Sequence, residues 1–170
     1  MKVTKKTLDA LTSTKLFIGV SPKLLSNLLE AQEKTFETYK KGDVIYSPDK
    51  YDNSLGFIVR GAVNVIKPAS GVIVSTLGKN DFFGAVTLYS QKGYYVSKLL
   101  ATTDTKVLFI DKSTVGILML QDQAMATNYI SYLSDRLYYL NSRIDAFTGG
   151  SAESRLASFL KSLYFLSILL

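Results

Sequence analysis

The sequence contains no cysteine and no histidine, two residue types on which much protein chemistry depends. Without cysteine there can be no disulfide, no thiolate nucleophile and no ligand set for an iron–sulfur cluster. Without histidine the commonest general base, the commonest metal ligand and the usual haem ligand are missing as well. No run of acidic residues has the spacing of a calcium loop. We therefore expect a protein that is not an enzyme and that holds no metal or cofactor.

Long hydrophobic runs are also missing. No stretch reaches the roughly 18–20 apolar residues of a membrane helix. The basic residues at 1–6 are not followed by the apolar segment of a signal peptide. We therefore expect a cytoplasmic location and no membrane partner.

The composition is that of a folded domain with an appendage. The chain has 170 residues, of which 47% are hydrophobic and 20% are charged. The net charge of +6 is spread along residues 1–110. A reader of nucleic acid usually concentrates its basic residues on one element. We interpret the positive charge as a solvated surface.

The spacing of apolar residues changes twice along the chain. Up to residue 31 the apolar residues have helical spacing. A short helix is predicted over 7–16, and a second helix is predicted to begin at Ser21 and Pro22. Between residues 35 and 110, eight or so short alternating segments are separated by glycine-containing and proline-containing turns. This pattern predicts a small antiparallel barrel or jelly roll.

A long helix is predicted after the strands. Its apolar residues follow one another at spacings of 4, 3, 4, 3, 4 and 3: Ala126, Ile130, Leu133, Leu137, Leu140, Ile144 and Phe147. This is the seam of a coiled coil, and it is narrower than the stripe of a helix packed on its own domain. We therefore predict a homodimer through the 126–147 helix, with an ordinary amphipathic helix as the alternative.

One insertion interrupts the strands. A short apolar strand runs into Gly84, a turn of helix can follow, and a second strand returns from Tyr94. In a barrel, a small ligand would lie at such an insertion against backbone N–H groups.

The order of these features resembles the Crp/Fnr family of bacterial transcription regulators. The matching segments are residues 16–21, 41–45, 57–65, 82–84, 133–137 and 151–160. The resemblance implies an α+β fold, namely a cyclic-nucleotide-binding-like double-stranded β-helix (jelly roll) flanked by helices, with a long C-terminal dimerisation helix.

The resemblance also implies three parts of the chain. They are the β-barrel sensor domain with its N-terminal helices (1–118), the dimerisation helix (119–148) and a remnant of the first helix of a winged helix-turn-helix domain (149–170). DNA binding is then expected only through a missing C-terminal domain. The chain would be the effector-sensing and dimerisation portion of a regulator, and the alternative is a stand-alone partner that inhibits full-length relatives.

Three residues depart from the family members that bind cyclic nucleotides. By resemblance, Ala85 stands where those members have a glutamate for the ribose, Tyr95 where they have an arginine for the phosphate, and Val96 where they have serine or threonine. A buried phosphate without the arginine would be poorly compensated. Lys98 shares the face of Val96 and could substitute only in another register. We expect no binding of cyclic AMP, with a true cyclic-nucleotide-binding module as an alternative.

The predicted effector is less charged than a cyclic nucleotide. A pocket rimmed by Tyr89, Tyr94 and Tyr95 suits an apolar or aromatic small molecule, whereas the alternative is a barrel filled by its own tyrosines. By resemblance, Tyr138 and Asn141 on the dimer helix face this pocket. The candidate pocket residues are Gly84, Ala85, Val86, Thr87, Leu88, Tyr94, Tyr95, Val96, Ser97 and Asn141.

Overall fold

The computed structural model describes residues 3–32, 35–91, 95–148, 153, 156 and 157. In chain order, the elements are α1 (Lys5–Thr12), α2 (Pro22–Ala31), β1 (Phe36–Tyr39), β2 (Val44–Tyr46), β3 (Ser54–Arg60), β4 (Val63–Ile66), β5 (Ile73–Leu77), β6 (Phe82–Phe83), β7 (Lys98–Ala101), β8 (Thr105–Asp111), α3 (Lys112–Gln121) and α4 (Gln123–Thr148).

The strands form two antiparallel sheets of four strands each. One sheet has the order β1-β8-β3-β6 and the other has the order β2-β7-β4-β5. The pairing of β1 with β8 and of β2 with β7 joins strands that are far apart in sequence, as a jelly roll requires. The predicted fold class, a jelly roll flanked by helices, is confirmed.

The helix starts follow local capping chemistry. The Ser21 hydroxyl accepts from the Leu24 backbone N–H, and Pro22 is the first residue of α2, as predicted. The first helix, predicted over 7–16, instead begins at Lys5 and ends at Thr12. It begins earlier because the Thr4 hydroxyl accepts from the Thr7 N–H and supplies the N-cap.

The alternation of β3 and β8 builds a different core on each face of their sheet. One face is covered by α1, α2, α3 and the turn before α2. The fully buried apolar side chains of this face and of these segments form a set that we call the outer core. Its members are Leu11, Phe17, Leu25, Leu29, Leu55, Phe57, Leu108, Ile110, Val115 and Leu118. The register pairs Leu55 with Ile110 and Phe57 with Leu108, which places these four side chains on one face.

The opposite face points into the jelly roll. Its side chains meet those of the second sheet in a set that we call the inner core: Ile45, Tyr46, Ile58, Val63, Leu77, Phe83, Tyr95, Leu99, Ala101, Val107 and Phe109. The half-buried Tyr39, Tyr51 and Val65 pack against it. The candidate site lies in this inner core.

The chain divides into two compact units, Met1–Ala126 and Thr127–Leu170. The helix α4 covers the seam predicted over 126–147, so the predicted helix is in place. Within it Ile130, Leu137, Leu140 and Ile144 are exposed. Leu133 is half-buried, and the side chain of Phe147 lies outside the described part. The partner of this seam, like the predicted boundary at 118, stays a prediction.

In the described ranges, no helix has the length and apolar character needed to cross a bilayer. The predicted helix remnant over 149–170 lies almost wholly outside these ranges.

Candidate functional site

The predicted insertion is present as a single helical turn after β6. Gly84 has a φ of +87°, in the left-handed region that favours glycine. A Cβ at this position would lie 2.5 Å from the Ser54 carbonyl oxygen, so a side chain does not fit. The turn closes when the Leu88 N–H donates to the Gly84 carbonyl at 3.0 Å. The sequence Phe82-Phe83-Gly84 thus produces the strand-to-turn transition that it predicted.

The side chains of this turn face in different directions. Ala85 and Leu88 are buried, whereas Val86 is 60% exposed. Thr87 is half-buried, and its hydroxyl donates a hydrogen bond to the Gly84 carbonyl at 3.1 Å. Of the predicted pocket residues in the turn, only Ala85 and Leu88 therefore present apolar side chains to the interior of the domain.

Tyr89 contacts α3 and is not part of the inner core. Its hydroxyl donates to the Lys112 carbonyl at 3.4 Å, and the Lys112 Nζ lies 5.1 Å from the centre of its ring. Burial raises the pKa of Tyr89. Of the three tyrosines of the predicted rim, Tyr89 is thus exposed against α3 and Tyr95 is buried in the inner core. Tyr94 lies outside the described residues, so the rim as a whole stays a prediction.

The segment that returns to β7 alternates between two faces. Tyr95 and Ser97 are buried, in phase with Leu99 and Ala101. Val96 is 50% exposed, and Lys98 shares its face, as the sequence parity predicted. The structure therefore brings Tyr95 and Ser97 to the interior and leaves Val96 and Lys98 outside it.

Tyr95 joins a group of five rings that we call the aromatic cluster: Tyr46, Tyr51, Phe83, Tyr95 and Phe109. The Tyr46 ring lies at its centre, with ring centroids 5.2 Å from Tyr95, 5.3 Å from Phe83 and 5.9 Å from Phe109. Tyr51 packs on Tyr95 at 5.6 Å. These are the separations of aromatic rings in contact.

Gly56 on β3 has no side chain, and this makes room for the aromatic cluster. A Cβ at Gly56 would lie 2.0 Å from the tip of the Phe83 ring, so that ring rests directly on the β3 backbone. The pairing of Gly56 with Phe83 and of Phe57 with Phe82 sends Phe83 inward and Phe82 outward. The outward ring of Phe82 contacts Phe57 of the outer core in a tilted arrangement, with ring centroids 5.0 Å apart.

Polar groups accompany the rings. The Tyr46 and Ser54 hydroxyls share a hydrogen bond of 2.6 Å. Burial raises the pKa of Tyr46, this hydrogen bond opposes the rise, and the nearby negative charge of Asp52 adds to it. The phenol of Tyr46 is therefore neutral over the ordinary pH range.

A carboxylate also belongs to this interior. Glu37 on β1 pairs with Val107 of the inner core, so both side chains lie on the interior face of the sheet. The Tyr39 hydroxyl donates to the Glu37 carboxylate. Burial raises the pKa of Tyr39, and the hydrogen bond and the charge of Glu37 raise it further.

Sequence reasoning did not identify Tyr46, Tyr51, Phe109 or Glu37 as members of this site. Glu37, Tyr46 and Phe109 belong to strands whose alternation is visible in the sequence, but alternation alone does not say which face is the interior, and Tyr51 lies in a loop that has no period. Asn141, also a candidate, is exposed on α4 in the second compact unit, and its role in a pocket stays a prediction.

The described residues contain no group of three or more acidic side chains close enough to hold a metal ion. The inner core instead offers aromatic faces, phenolic hydroxyls and a carboxylate. Such groups interact with organic molecules by packing and hydrogen bonding.

The model of the family described as cyclic nucleotide-binding domain matches residues 36–122. No curated protein matches the chain. Solved structures with a similar fold include the sensor domain of the transcriptional regulator DNR from Pseudomonas aeruginosa, with a TM-score of 0.70 and 19% identity over 86% of this chain and 97% of that one.

The catabolite activator protein of Thermus thermophilus is also similar, with a TM-score of 0.68 and 21% identity over 79% of this chain and 63% of that protein. This chain thus corresponds to less than two thirds of that protein's length. The N-terminal domain of a transcriptional regulator from Streptomyces coelicolor A3(2) matches with a TM-score of 0.60 and 18% identity, over 78% of this chain and 95% of that one.

The family model covers just over half of the chain and coincides with the two sheets and α3, and the similar structures are those of transcriptional regulators. The chain belongs to the cyclic nucleotide-binding domain family and shares its jelly-roll fold with these transcriptional regulators.

Proposed function

We propose that this chain is the effector-sensing and dimerisation portion of a Crp/Fnr-like bacterial transcription regulator, and that it does not respond to cyclic AMP. The observation that carries the proposal is the position of Tyr95. By resemblance, it stands where a phosphate-binding arginine would be, and its ring is buried 5.2 Å from that of Tyr46. A phosphate at this place would meet a phenol and a ring face instead of a guanidinium.

The exposed seam of α4 supports dimerisation. Ile130 and Leu137 are each 62% exposed and lie seven residues apart on one helix of 26 residues. Apolar side chains at this spacing are buried when two such helices pair. We propose that a second copy of the chain covers them.

The contact of Tyr89 with Lys112 supports a link between the insertion and the helices. Tyr89 belongs to the insertion, Lys112 is the first residue of α3, and α4 follows α3 after a single residue. We propose that the insertion and the dimer helices move together between two states. An effector that binds one of these states more tightly than the other would then shift the dimer helices. The effector lacks the phosphate anion of a cyclic nucleotide, and we assign DNA contact to none of the described residues.

The dimer is tested by measuring molar mass with light scattering after size exclusion. The native chain is expected at about twice 18.8 kDa. Leu137→Asp places a charge in the seam and is expected to give a monomer. Tyr138→Asp is the matched control, because Tyr138 is the next residue and is 71% exposed but lies off the seam. A dimeric Leu137→Asp variant contradicts the dimerisation proposal.

The sensing proposal is tested by calorimetric titration with cyclic AMP and cyclic GMP. We expect no saturable heat from either nucleotide. Binding in the micromolar range would show that Tyr95 moves aside for a phosphate, and the proposal would then be wrong in its effector class.

A further inference from the structure

The second sheet, which contains β2, β7, β4 and β5, turns an exposed and largely apolar face outward. We propose that this face is a docking surface for an acidic amphipathic helix of a partner protein. The inference goes beyond the proposed function, because it uses neither the effector site nor the α4 seam. Three features of the described residues support it: the apolar side chains of the face, the lysine among them and the way in which the first sheet is covered.

The strand register defines which side chains share this face. Val63 pairs with Leu77 on one side and with Ala101 on the other, and all three are buried in the inner core. The residues that follow or precede them point outward, because side chains alternate along a strand. The outward residues form two neighbouring rows that we call the open face: Val44, Leu100, Asn64 and Thr76 in one row, and Lys98, Ile66 and Ile73 in the other.

Apolar side chains make up most of the open face. Ile73 is 54% exposed and Val44 is 43% exposed, whereas the other apolar members are half-buried. An antiparallel sheet whose outer face meets only water normally carries polar residues there. The polar pair of the open face is hydrogen-bonded to itself, since the Thr76 hydroxyl donates to the Asn64 side-chain oxygen at 2.8 Å. The face therefore has the composition of an interaction surface.

Lys98 is the charged member of the open face. It is half-buried and pairs with Ile66, and Val96, which is also outward and 50% exposed, extends the apolar surface beyond it. A lysine in such a place covers apolar surface with its methylene groups and keeps its ammonium group accessible. The sequences of β2, β4, β5 and β7 contain no acidic residue. A partner that covers the open face therefore supplies the carboxylate.

The first sheet shows which element packs on an apolar outward face in this fold. Its outward side chains belong to the outer core and are fully buried beneath α1, α2 and α3. A sheet with an apolar face is stable when another layer covers that face, and helices supply this layer here. A helix with an apolar stripe is therefore the element that fits the open face of the second sheet.

The charges favour a separate partner over a second copy of the same face. Two open faces packed together would bring Lys98 of each copy into a surface that has no carboxylate. The net charge of +6 also opposes the approach of two such chains. An acidic helix complements both the lysine and the charge of the whole chain.

Amphipathic helical peptides of three compositions are the probes for the test. The first has leucines on one face and glutamates on the other, the second has lysines in place of the glutamates, and the third has alanines in place of the leucines. Binding of each fluorescently labelled peptide to the full chain is measured by anisotropy. We expect saturable binding of the leucine–glutamate peptide, and binding weaker by about 10-fold or more for the other two.

Charge reversal at Lys98 identifies the site. Lys98→Glu should weaken the leucine–glutamate peptide about 5-fold and strengthen the leucine–lysine peptide by a similar factor. Lys23→Glu is the matched control, since Lys23 is exposed on α2, and it should change neither affinity by more than about 2-fold.

The apolar contact is tested by Ile73→Ser, which should weaken the leucine–glutamate peptide about 10-fold. Val86→Ser is its control, because Val86 is 60% exposed on the insertion and lies outside the open face. Both substitutions are at exposed positions, so far-ultraviolet circular dichroism should show the native fold in each.

Several results would overturn the docking surface. They are equal binding of the leucine–glutamate and leucine–lysine peptides, no binding of any peptide, or affinities that neither Lys98→Glu nor Ile73→Ser changes. Binding that is lost in Leu137→Asp and kept in Ile73→Ser would place the peptide on α4 instead. Association of the Leu137→Asp chain that Ile73→Ser abolishes would show that a second copy occupies the face. None of these results alters the mass of the native dimer or its response to cyclic AMP, which test the proposed function separately.

Discussion

The outer core and the inner core lie on opposite faces of the same sheet and differ in chemistry. The outer core consists of aliphatic and phenylalanine side chains that are fully buried. The inner core contains Tyr46 and Tyr95, whose hydroxyls need partners, and it borders the carboxylate of Glu37. The two cores share β3 and β8, so alternate residues of one strand serve both.

This difference in chemistry indicates that the two faces of the sheet contribute differently to stability. Burial of apolar side chains gives stability without specific partners, so the outer core can hold the helices against the sheet. A buried phenol costs free energy unless it is hydrogen-bonded, which makes a tyrosine-rich core a poor choice for stability alone. The inner core therefore depends on specific hydrogen bonds such as that between the Tyr46 and Ser54 hydroxyls, which the outer core does not need.

Phe57→Ala tests whether the outer core is the stabilising face, and it should have the largest effect on stability of the substitutions considered. Phe57 is fully buried in the outer core, and its ring contacts that of Phe82. Truncation should lower the free energy of unfolding by about 3–5 kcal/mol, as measured by urea denaturation. Val96→Ala, at an exposed position, is the control and should change it by less than about 0.5 kcal/mol. A loss below about 1 kcal/mol in Phe57→Ala would mean that the outer core is not the stabilising face.

Gly56→Ala tests how closely the inner core is packed. The new Cβ would overlap the Phe83 ring, which would have to move toward Tyr46 and Phe109. We expect a loss of about 1–3 kcal/mol, together with a change in the near-ultraviolet circular dichroism of the tyrosines. Gly42→Ala is not a matched control because Gly42 has a positive φ. Gly78→Ala is the control, since its φ lies outside the left-handed region and its Cβ would meet the Asp81 Oδ2 at an ordinary contact distance of 3.8 Å. A native-like spectrum of Gly56→Ala would show that the cluster has room for a ligand without movement.

Much of this architecture could be predicted from the sequence because its determinants are local. The strands alternate, Gly84 ends β6, Ser21 and Asp111 cap helices, and the α4 seam repeats every seven residues. Each of these signals lies within a window of a few residues, where period and capping chemistry decide the outcome.

The composition of the inner core was not predictable in this way. Glu37 reaches the interior through the pairing of β1 with β8, a strand about seventy residues further along the chain. Tyr51 is in a loop that carries no period, and Tyr46 is in a strand of three residues with a register shift. The faces of these residues follow from the register between distant strands, which no local pattern specifies.

Asp111→Ala tests the helical layer that covers the outer core. Burial raises the pKa of the Asp111 carboxyl, but hydrogen bonds from the Thr114 N–H and the Ser113 hydroxyl outweigh this effect, and the net pKa is lowered. The carboxylate is the N-cap of α3, so the substitution should cost about 1 kcal/mol at neutral pH. A carboxyl whose pKa is lower in the folded state stabilises the fold at pH values above its unfolded-state pKa. This stabilisation is lost as the pH falls through the folded-state pKa. The native chain should therefore lose this increment in acid, and Asp111→Ala should not. An equal acid response in both chains would contradict the capping role.

Tyr46→Phe is the substitution most specific to the inner core. It removes the hydroxyl that is hydrogen-bonded to Ser54 and keeps the ring, so the loss at neutral pH should be about 0.5–1.5 kcal/mol.

The pH dependence of Tyr46→Phe isolates the contribution of this hydroxyl, a group that the outer core lacks. Burial, together with the charges of Asp52 and Glu37 and the neighbouring Tyr95, raises the pKa of Tyr46 above its ordinary value. Below about pH 10 the phenol is neutral in both states and its contribution is complete. Above that pH the unfolded chain releases the proton first, so the stability of the native chain should fall as pH rises. Urea midpoints at about pH 8 and about pH 11 should therefore differ less for Tyr46→Phe than for the native chain, with Tyr39 and Tyr89 contributing to the slope that remains. If both chains lose the same stability over this interval, the Tyr46 hydroxyl is not held neutral by the inner core, and the chemical distinction between the two cores fails.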